Sequence, residues 1–396
     1  MKQIYLDHAA TTPARKEVVK AMEPFFSGTF GNPSSFHAVG KAAKDAMEQA
    51  RANVAKILNC RGSEIIFTGG GTESDNLGIL GTARANKDKG SHIITSKVEH
   101  PAVMDSCKKL AKEGFEISYI PVGKDGIIKL DEFKKALRSD TILVSIMYAN
   151  NEIGTIQPIK DIAKIIRNFK NVAPRLRSGS IDLPYFHTDA CQAAGALDLD
   201  IVKLGVDLLT LNGSKIYGPK GTGVLYVKKG VKIEPLIYGG GQEFEFRSGT
   251  ENVPAIIGLA KALELAQKEK EKEGARLIKL RDKLIRGILK NISGSFLNGH
   301  PSLRLPNNAN VGIPKVEGEA MVLYLDSKGI YASTGSACGS RSLKPSHVLT
   351  AIGLNDELAH GSLRFTLGRS TTDEDINFVI EVLPGIVKKL REVSSL

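Results

Sequence analysis

Residues 206–223 read VDLLTLNGSKIYGPKGTG. The apolar run Leu208, Leu209, Thr210, Leu211 predicts a buried strand. Asn212, Gly213 and Ser214 then form a turn able to present hydrogen-bond donors. Lys215 follows, ahead of the stiff, small segment Gly218-Pro219-Lys220-Gly221. A lysine fixed at a strand end between small polar residues and a rigid turn suits an amine that forms a Schiff base, given a pKa lowered by burial or a nearby cation. The competing reading is a plain surface turn, since lysine is usually exposed. The rest of the chain decides between them.

Working outward, strands are expected at 92–95, 116–120, 141–148, 185–188, 208–211 and 223–227. Helical patterns at 102–113, 130–137 and 159–169 separate the earlier ones. Alternation of this kind predicts an α/β fold with a mostly parallel sheet covered on both faces. An amphipathic helix is expected over 42–58. A short strand at 64–67 runs into Thr68-Gly69-Gly70-Gly71-Thr72, with a helix expected from Glu73. Strand, glycine turn and helix aim backbone N–H groups at a phosphate, although the spacing is neither a P-loop nor GxGxxG, and a glycine turn without a ligand is equally compatible. The charged helical pattern over 255–290, broken near Gly274, marks a change of character. We therefore expect a large domain over 16–258 and a smaller α+β one over 259–396, with 1–15 packing on the latter. The polar loop 171–184 carries no assignable chemistry.

With 396 residues, 42% hydrophobic and 24% charged, the chain has an ordinary globular composition. No apolar run approaches the roughly 18 residues that a membrane span requires, and MKQIYLDHAA lacks a signal-peptide core, so a cytoplasmic, non-membrane protein is expected. Cys60, Cys107, Cys191 and Cys338 are far apart, which suggests neither a disulfide framework nor a metal site. The net charge of +11 is spread along the chain and interleaved with glutamate in KEKEKE at 268–273. That run reads as a solvated helix face, and a nucleic-acid partner is not expected.

Further clusters fall at strand ends, where open α/β sheets bind ligands. His100, after the strand at 92–95, is placed either to stack on an aromatic cofactor or to cap a helix. Asn151 lies in NNEIG, and its amide can orient a carboxylate or phenolic oxygen. Asp189 lies in HTDACQ, where a buried carboxylate needs a cationic partner such as a pyridinium nitrogen. Arg247 and Thr250, in RSGT, follow a glycine run. Arg364 is a guanidinium on an apolar strand, for which a bidentate carboxylate is the natural partner. Cys338 lies in STGSACGS near Arg341 and Lys344, and neighbouring cations favour a reactive thiolate. Cys60, Cys107 and Cys191 are expected to be buried and structural.

Taken in order, these clusters resemble the class V, fold-type-I pyridoxal phosphate enzymes, and specifically the NifS/IscS-like cysteine desulfurases. The matching motifs run nearly end to end: YLDHAATTP, FGNPSS, TESDN, VEH, NNEIG, HTDACQ, SKIYGPKG, GGGQE, RSGT, STGSAC and RFTLGR. The resemblance implies that Lys215 carries pyridoxal 5'-phosphate as a Schiff base. Asp189 would pair with the pyridine nitrogen, His100 would stack on the ring, and Gln192 would contact its phenolic oxygen. Gly71, Thr72, Asn212 and Ser214 would hold the phosphate, with Thr250 supplied by the other subunit of a homodimer. Arg364 and Asn151 would bind the carboxylate of the L-cysteine substrate. Cys338 would take the sulfur as a persulfide, leaving L-alanine, and pass it to a sulfur-acceptor protein such as an iron–sulfur scaffold or a sulfur carrier for tRNA thiolation.

One departure stands out. The family usually has serine and histidine where this chain has Asn212 and Ser214, so a changed grip on the phosphate is expected. A selenocysteine lyase would share nearly every site residue. A class V aminotransferase would not need Cys338, and a non-catalytic scaffold would need none of the three residues Lys215, Asp189 and Cys338.

Overall fold

The computed structural model describes residues 2–172, 183–335 and 345–393. β1 (Ile4–Tyr5) opens the chain. Seven strands then build one sheet: β2 (Ile65–Thr68), β3 (His92–Ser96), β4 (Glu116–Ile120), β5 (Thr141–Ser145), β6 (Tyr185–Asp189), β7 (Leu208–Asn212) and β8 (Gly223–Val227). Their spatial order is β2-β8-β7-β6-β5-β3-β4. β7, β6, β5, β3 and β4 are mutually parallel, and only β8 runs against its neighbours. The mostly parallel α/β sheet read from the sequence is therefore present. β5 is shorter than expected, stopping at Ser145, although the N–H groups of Ile146 and Tyr148 still donate to the His187 and Asp189 carbonyls.

Period-two alternation divides the apolar side chains of these strands between two cores. Ile65, Phe67, Leu209, Leu211, Val224 and Tyr226 face one core, under the helices Ala38–Leu58, Ile159–Val172 and the start of Val253–Asn291. Ile66, Leu208, Leu225 and Val227 face the other, with Val103, Cys107 and Leu110 of the helix Pro101–Lys112. A sheet covered on both faces buries both registers of its inner strands, while the edge strand β4 leaves Glu116 exposed.

The remaining strands are β9 (Phe296–Leu297), β10 (Asn308–Gly312), β11 (Ile330–Tyr331) and β12 (Ser362–Thr366). β12, β10 and β9 form an antiparallel sheet, and β1 pairs in parallel with β11. A separate core joins Ile4 and Leu6 to Val311, Phe365, Leu383 and Leu284. The helix Val253–Asn291 contributes Leu259 and Leu263 to the large sheet's core and Leu280 and Leu284 to this second one. The break expected near Gly274 does not occur. Glycine inside a helix costs about 1 kcal/mol relative to alanine, and the packed turns on both sides carry the helix through. We propose that the chain divides along these two cores, which moves the boundary expected at 258/259 further along this helix, between Leu263 and Leu280.

A candidate active site at the carboxyl edge of the sheet

The parallel strands end on one edge, and the loops leaving them line a cavity of about 220 Å³. Lys215, Asp189, His100, Arg364, Asn151 and Gln192 all line it, as do Gly71, Thr72 and Asn212. Nine of the residues singled out from the sequence thus converge from β2, β3, β5, β6, β7 and β12. Ser214 lines an adjoining, more open groove of about 540 Å³, which shares Gly71, Thr72 and Asn212 with the cavity. Thr250 is exposed and lines neither, sitting instead with Arg247 in a further cleft that meets the groove at Gly69 and Gly221. Cys338 lies outside the described residues, as do Arg341 and Lys344.

Lys215 ends a single tight turn, Gly213–Lys215, directly after β7. That turn forms because the Asn212 side chain accepts from both the backbone N–H and the hydroxyl of Ser214, each at 3.1 Å. Lys215 Nζ donates to the carbonyls of Ala9, at 2.9 Å, and Ala10, at 2.5 Å. Gln192 Nε2 donates to the same Ala9 carbonyl at 3.0 Å. The N-terminal segment HAA thus closes one wall of the cavity, a role that its placement in the sequence, far from Lys215, does not disclose.

Asp189 closes β6 and is almost fully buried, its Oδ1 accepting from the Cys191 backbone N–H at 2.9 Å. Beside it, Asp75 also lines the cavity and is almost fully buried, with Oδ1 lacking a hydrogen-bond partner among the described residues. Burial, and then the neighbouring Asp189 charge, push the Asp75 carboxyl well above the usual carboxylate range. His187 hydrogen-bonds Ser145 at 2.8 Å and Thr210 at 3.0 Å, and burial lowers its pKa to about 4, so it is neutral. Cys191 also lines the cavity, which its expected structural role did not include. Burial, followed by Asp189 and Asp75, raises its thiol well above the ordinary value and keeps it protonated. Sequence reasoning missed Asp75. Its only signal was a carboxylate one turn into the helix after the glycine run.

Of the two roles left open for His100, the helix cap is present. Its Nδ1 accepts from the Ala102 N–H at 3.1 Å, capping the helix Pro101–Lys112, while the ring lines the cavity. Burial, with a contribution from Lys215, lowers its pKa, which favours a neutral ring facing the site. Beneath it, Glu99 is fully buried between Ser96 Oγ, at 2.5 Å, and the Met147 N–H, at 3.0 and 3.1 Å.

On the groove side, the helix Gly71–Asn76 starts at Gly70, whose φ of 148° suits glycine. A Cβ on Gly71 would stand 2.8 Å from Cys191 Sγ and 3.3 Å from Asn212 Cβ, so only glycine permits this approach. Glu73, which would oppose an anion there, is engaged by Arg247 at 2.9 Å. Arg364, 2% exposed, does meet a carboxylate, but singly: Nη2 donates to Asp7 Oδ1 at 2.9 Å. Its Nη1 donates to the carbonyls of Asn151, at 3.2 Å, and Gly335, at 3.0 Å.

The aminotransferase class-V family model matches residues 4–379, and the chain belongs to that family. Within it, the similar proteins are cysteine desulfurases. The chain is 55% identical to a protein of Methanosarcina thermophila named cysteine desulfurase IscS, over all of this chain and 94% of that one. It is 54% identical to the protein of the same name from Dictyoglomus turgidum, over 99% of this chain and 96% of that one. Among solved structures, one described as a NifS-like protein superposes with a TM-score of 0.90 at 37% identity, covering 98% of this chain and all of the other. The resemblance read from the ordered motifs is thereby borne out for the family and the fold. No helix among the described residues is long and apolar enough to cross a membrane.

Proposed function

We propose that this protein is a pyridoxal phosphate-dependent cysteine desulfurase, converting L-cysteine to L-alanine while its sulfur passes to Cys338. The observation that carries this reading is the convergence of Lys215, Asp189, His100 and Arg364 on one cavity, from four strands of a chain similar over its full length to cysteine desulfurases.

The residues present fit the cofactor. Asp189 is a buried carboxylate with one short backbone bond, suited to a protonated pyridine nitrogen. The close approach enforced by Gly71, with donors from Thr72, Asn212 and Ser214 along the groove, suits a phosphate. The hydroxyl of Ser214 is turned onto Asn212, so the grip here differs from one that uses a histidine. Bound in this cavity, pyridoxal phosphate would supply an electron sink for charge developing at the substrate Cα.

The chain's own groups do the rest. Carbonyls of Ala9 and Ala10 fix the Lys215 amine, which would hold the cofactor and is placed to move protons at the substrate Cα and Cβ. Neutral His100 lies against the same space. Arg364 and Asn151 orient the substrate carboxylate. The Cys338 thiolate attacks the substrate sulfur; the S–S bond forms, the Cβ–S bond breaks, and Cβ takes a proton to give alanine. A thiolate of a sulfur-acceptor protein, for iron–sulfur cluster assembly or tRNA thiolation, then attacks the outer sulfur of the persulfide and releases the Cys338 thiolate, and a two-fold dimer in the cytoplasm completes each site with Thr250 of the partner chain.

Purified holoenzyme given L-cysteine and a dithiol is expected to release alanine and sulfide in equal amounts. Cys338→Ala should retain the visible cofactor band and its change on adding cysteine, yet release no sulfide. Keto-acid-dependent turnover would point to an aminotransferase, preference for selenocysteine to a lyase, and absence of a bound chromophore to a scaffold.

A further inference from the structure

Arg364 already holds a carboxylate of its own chain. Asp7 is fixed there by backbone pairing: Thr366 donates to the Leu6 carbonyl at 2.7 Å, and His8 donates to the Thr366 carbonyl at 3.2 Å. This stitches the Asp7 segment onto β12, two residues from Arg364. The Asp7 carboxylate then lies 2.9 Å from Nη2, while two backbone carbonyls take Nη1. Nε is buried and has no partner among the described residues. A guanidinium offers five N–H donors, and a carboxylate engages it most strongly through two at once along one edge. Nε and Nη2 form one such edge, and Asp7 occupies only its Nη2 corner.

We infer that Asp7 is a resident counter-ion that weakens the hold of Arg364 on amino-acid carboxylates, so that product as well as substrate leaves the site readily. The inference rests on the proposed reading of Arg364 as the carboxylate-binding residue. L-cysteine and L-alanine carry the same carboxylate, so a bare, buried guanidinium would grip the product as firmly as the substrate. An incoming carboxylate must either share the guanidinium with Asp7, at a separation where like charges repel strongly in a partly buried site, or displace it. Both routes cost affinity. A neutral acceptor in place of Asp7 keeps the hydrogen bond to Nη2 and removes the opposing charge. Asp7 acts on the substrate through Arg364 and is in that sense a positioning residue.

The test is calorimetric titration of holoenzyme with L-alanine and, separately, with ethylamine, which is alanine without its carboxylate. Asp7→Asn is expected to bind L-alanine about tenfold or more tightly than the parent, from the scale of a close like-charge repulsion, with ethylamine binding unchanged. In turnover, kcat and KM for L-cysteine should both fall, as slower product release limits the cycle. Asp7→Ser is a second neutral variant and should behave alike. Arg364→Lys separates the two levels of the argument. If it weakens alanine binding while both Asp7 variants leave that binding equal to or weaker than the parent, the counter-ion role is wrong. If Arg364→Lys leaves alanine binding unchanged as well, the assignment of Arg364 to the carboxylate falls, and this inference with it. Equal tightening of alanine and ethylamine would also overturn the inference, because the effect would not act through the carboxylate.

Discussion

Arg51 Nη2 lies 2.7 Å from Glu243 Oε1, and both side chains are almost fully withdrawn from solvent. Glu243 also accepts from the Phe67 backbone N–H of β2 at 2.8 Å. Arg51 sits over the rings of Phe67 and Phe244, 4.8 and 5.0 Å from their centroids. Three successive residues, Glu243, Phe244 and Glu245, have φ of 49°, 58° and 69°. Left-handed backbone in non-glycine residues persists only where its surroundings impose it, and the Arg51 fork does so here.

Removing one member of a buried pair strands the other. Arg51→Ala should therefore lower stability by about 3–5 kcal/mol, read from urea unfolding. Arg51→Met combined with Glu243→Leu should recover much of that loss, because an apolar pair of similar volume needs no desolvation of charge. A loss under about 1 kcal/mol for Arg51→Ala would mean that the pair is effectively solvated.

Glu99 makes stability depend on pH. Burial first, opposed by Ser96 and the Met147 N–H, raises its pKa to about 8. Between the ordinary carboxylate range and pH of about 8 the native chain keeps the proton that the unfolded chain loses. The native state thus binds more protons, and stability falls as pH rises through that window. Glu99→Gln keeps one acceptor and one donor and should flatten the slope. Unfolding free energies measured at several pH values, identical in slope for parent and variant, would refute this.

Lys215 is expected to be the point of cofactor attachment. Borohydride reduction of the holoenzyme followed by peptide mapping should place the phosphopyridoxyl group on Lys215, and Lys215→Ala should lose the reducible adduct. Recovery of the label on Lys220, which is exposed in the turn beyond it, would overturn the assignment.

Thr250 should act across a dimer, since in its own chain it lines a cleft apart from the Lys215 cavity. Mixing Lys215→Ala with Thr250→Ala chains should then regenerate one intact site per heterodimer. Heterodimers that form without regaining activity would show that Thr250 works within its own subunit or contributes little.

The strands and their ends were legible because both faces of the sheet are covered, which forces long β-branched runs such as Ile65-Ile66 and Ile93-Ile94 between turn residues. Lys215, Asp189 and His100 could be singled out because each sits at or just beyond the end of a buried strand. What spacing does not encode is a contact made by distant segments. Asp7 and Arg364 are 357 residues apart, and a bidentate partner was expected where a single, internal one is found. Cys191 looked like one more packed thiol until β6 and the Gly71 turn placed it on the cavity wall. The unbroken helix past Gly274 is a further case, in which tertiary packing outweighs a local helix penalty.

That helix has a mechanical consequence. Its 39 residues span about 58 Å at 1.5 Å per residue, with one end embedded under the large sheet and the other under the β9, β10 and β12 layer. Two bodies skewered on one rod cannot swing about a pivot at their shared boundary without bending it. Relative displacement of Arg364 and Lys215 is thereby restricted to small shearing or flexing, and the dimensions of the amino-acid site are set largely before any substrate arrives.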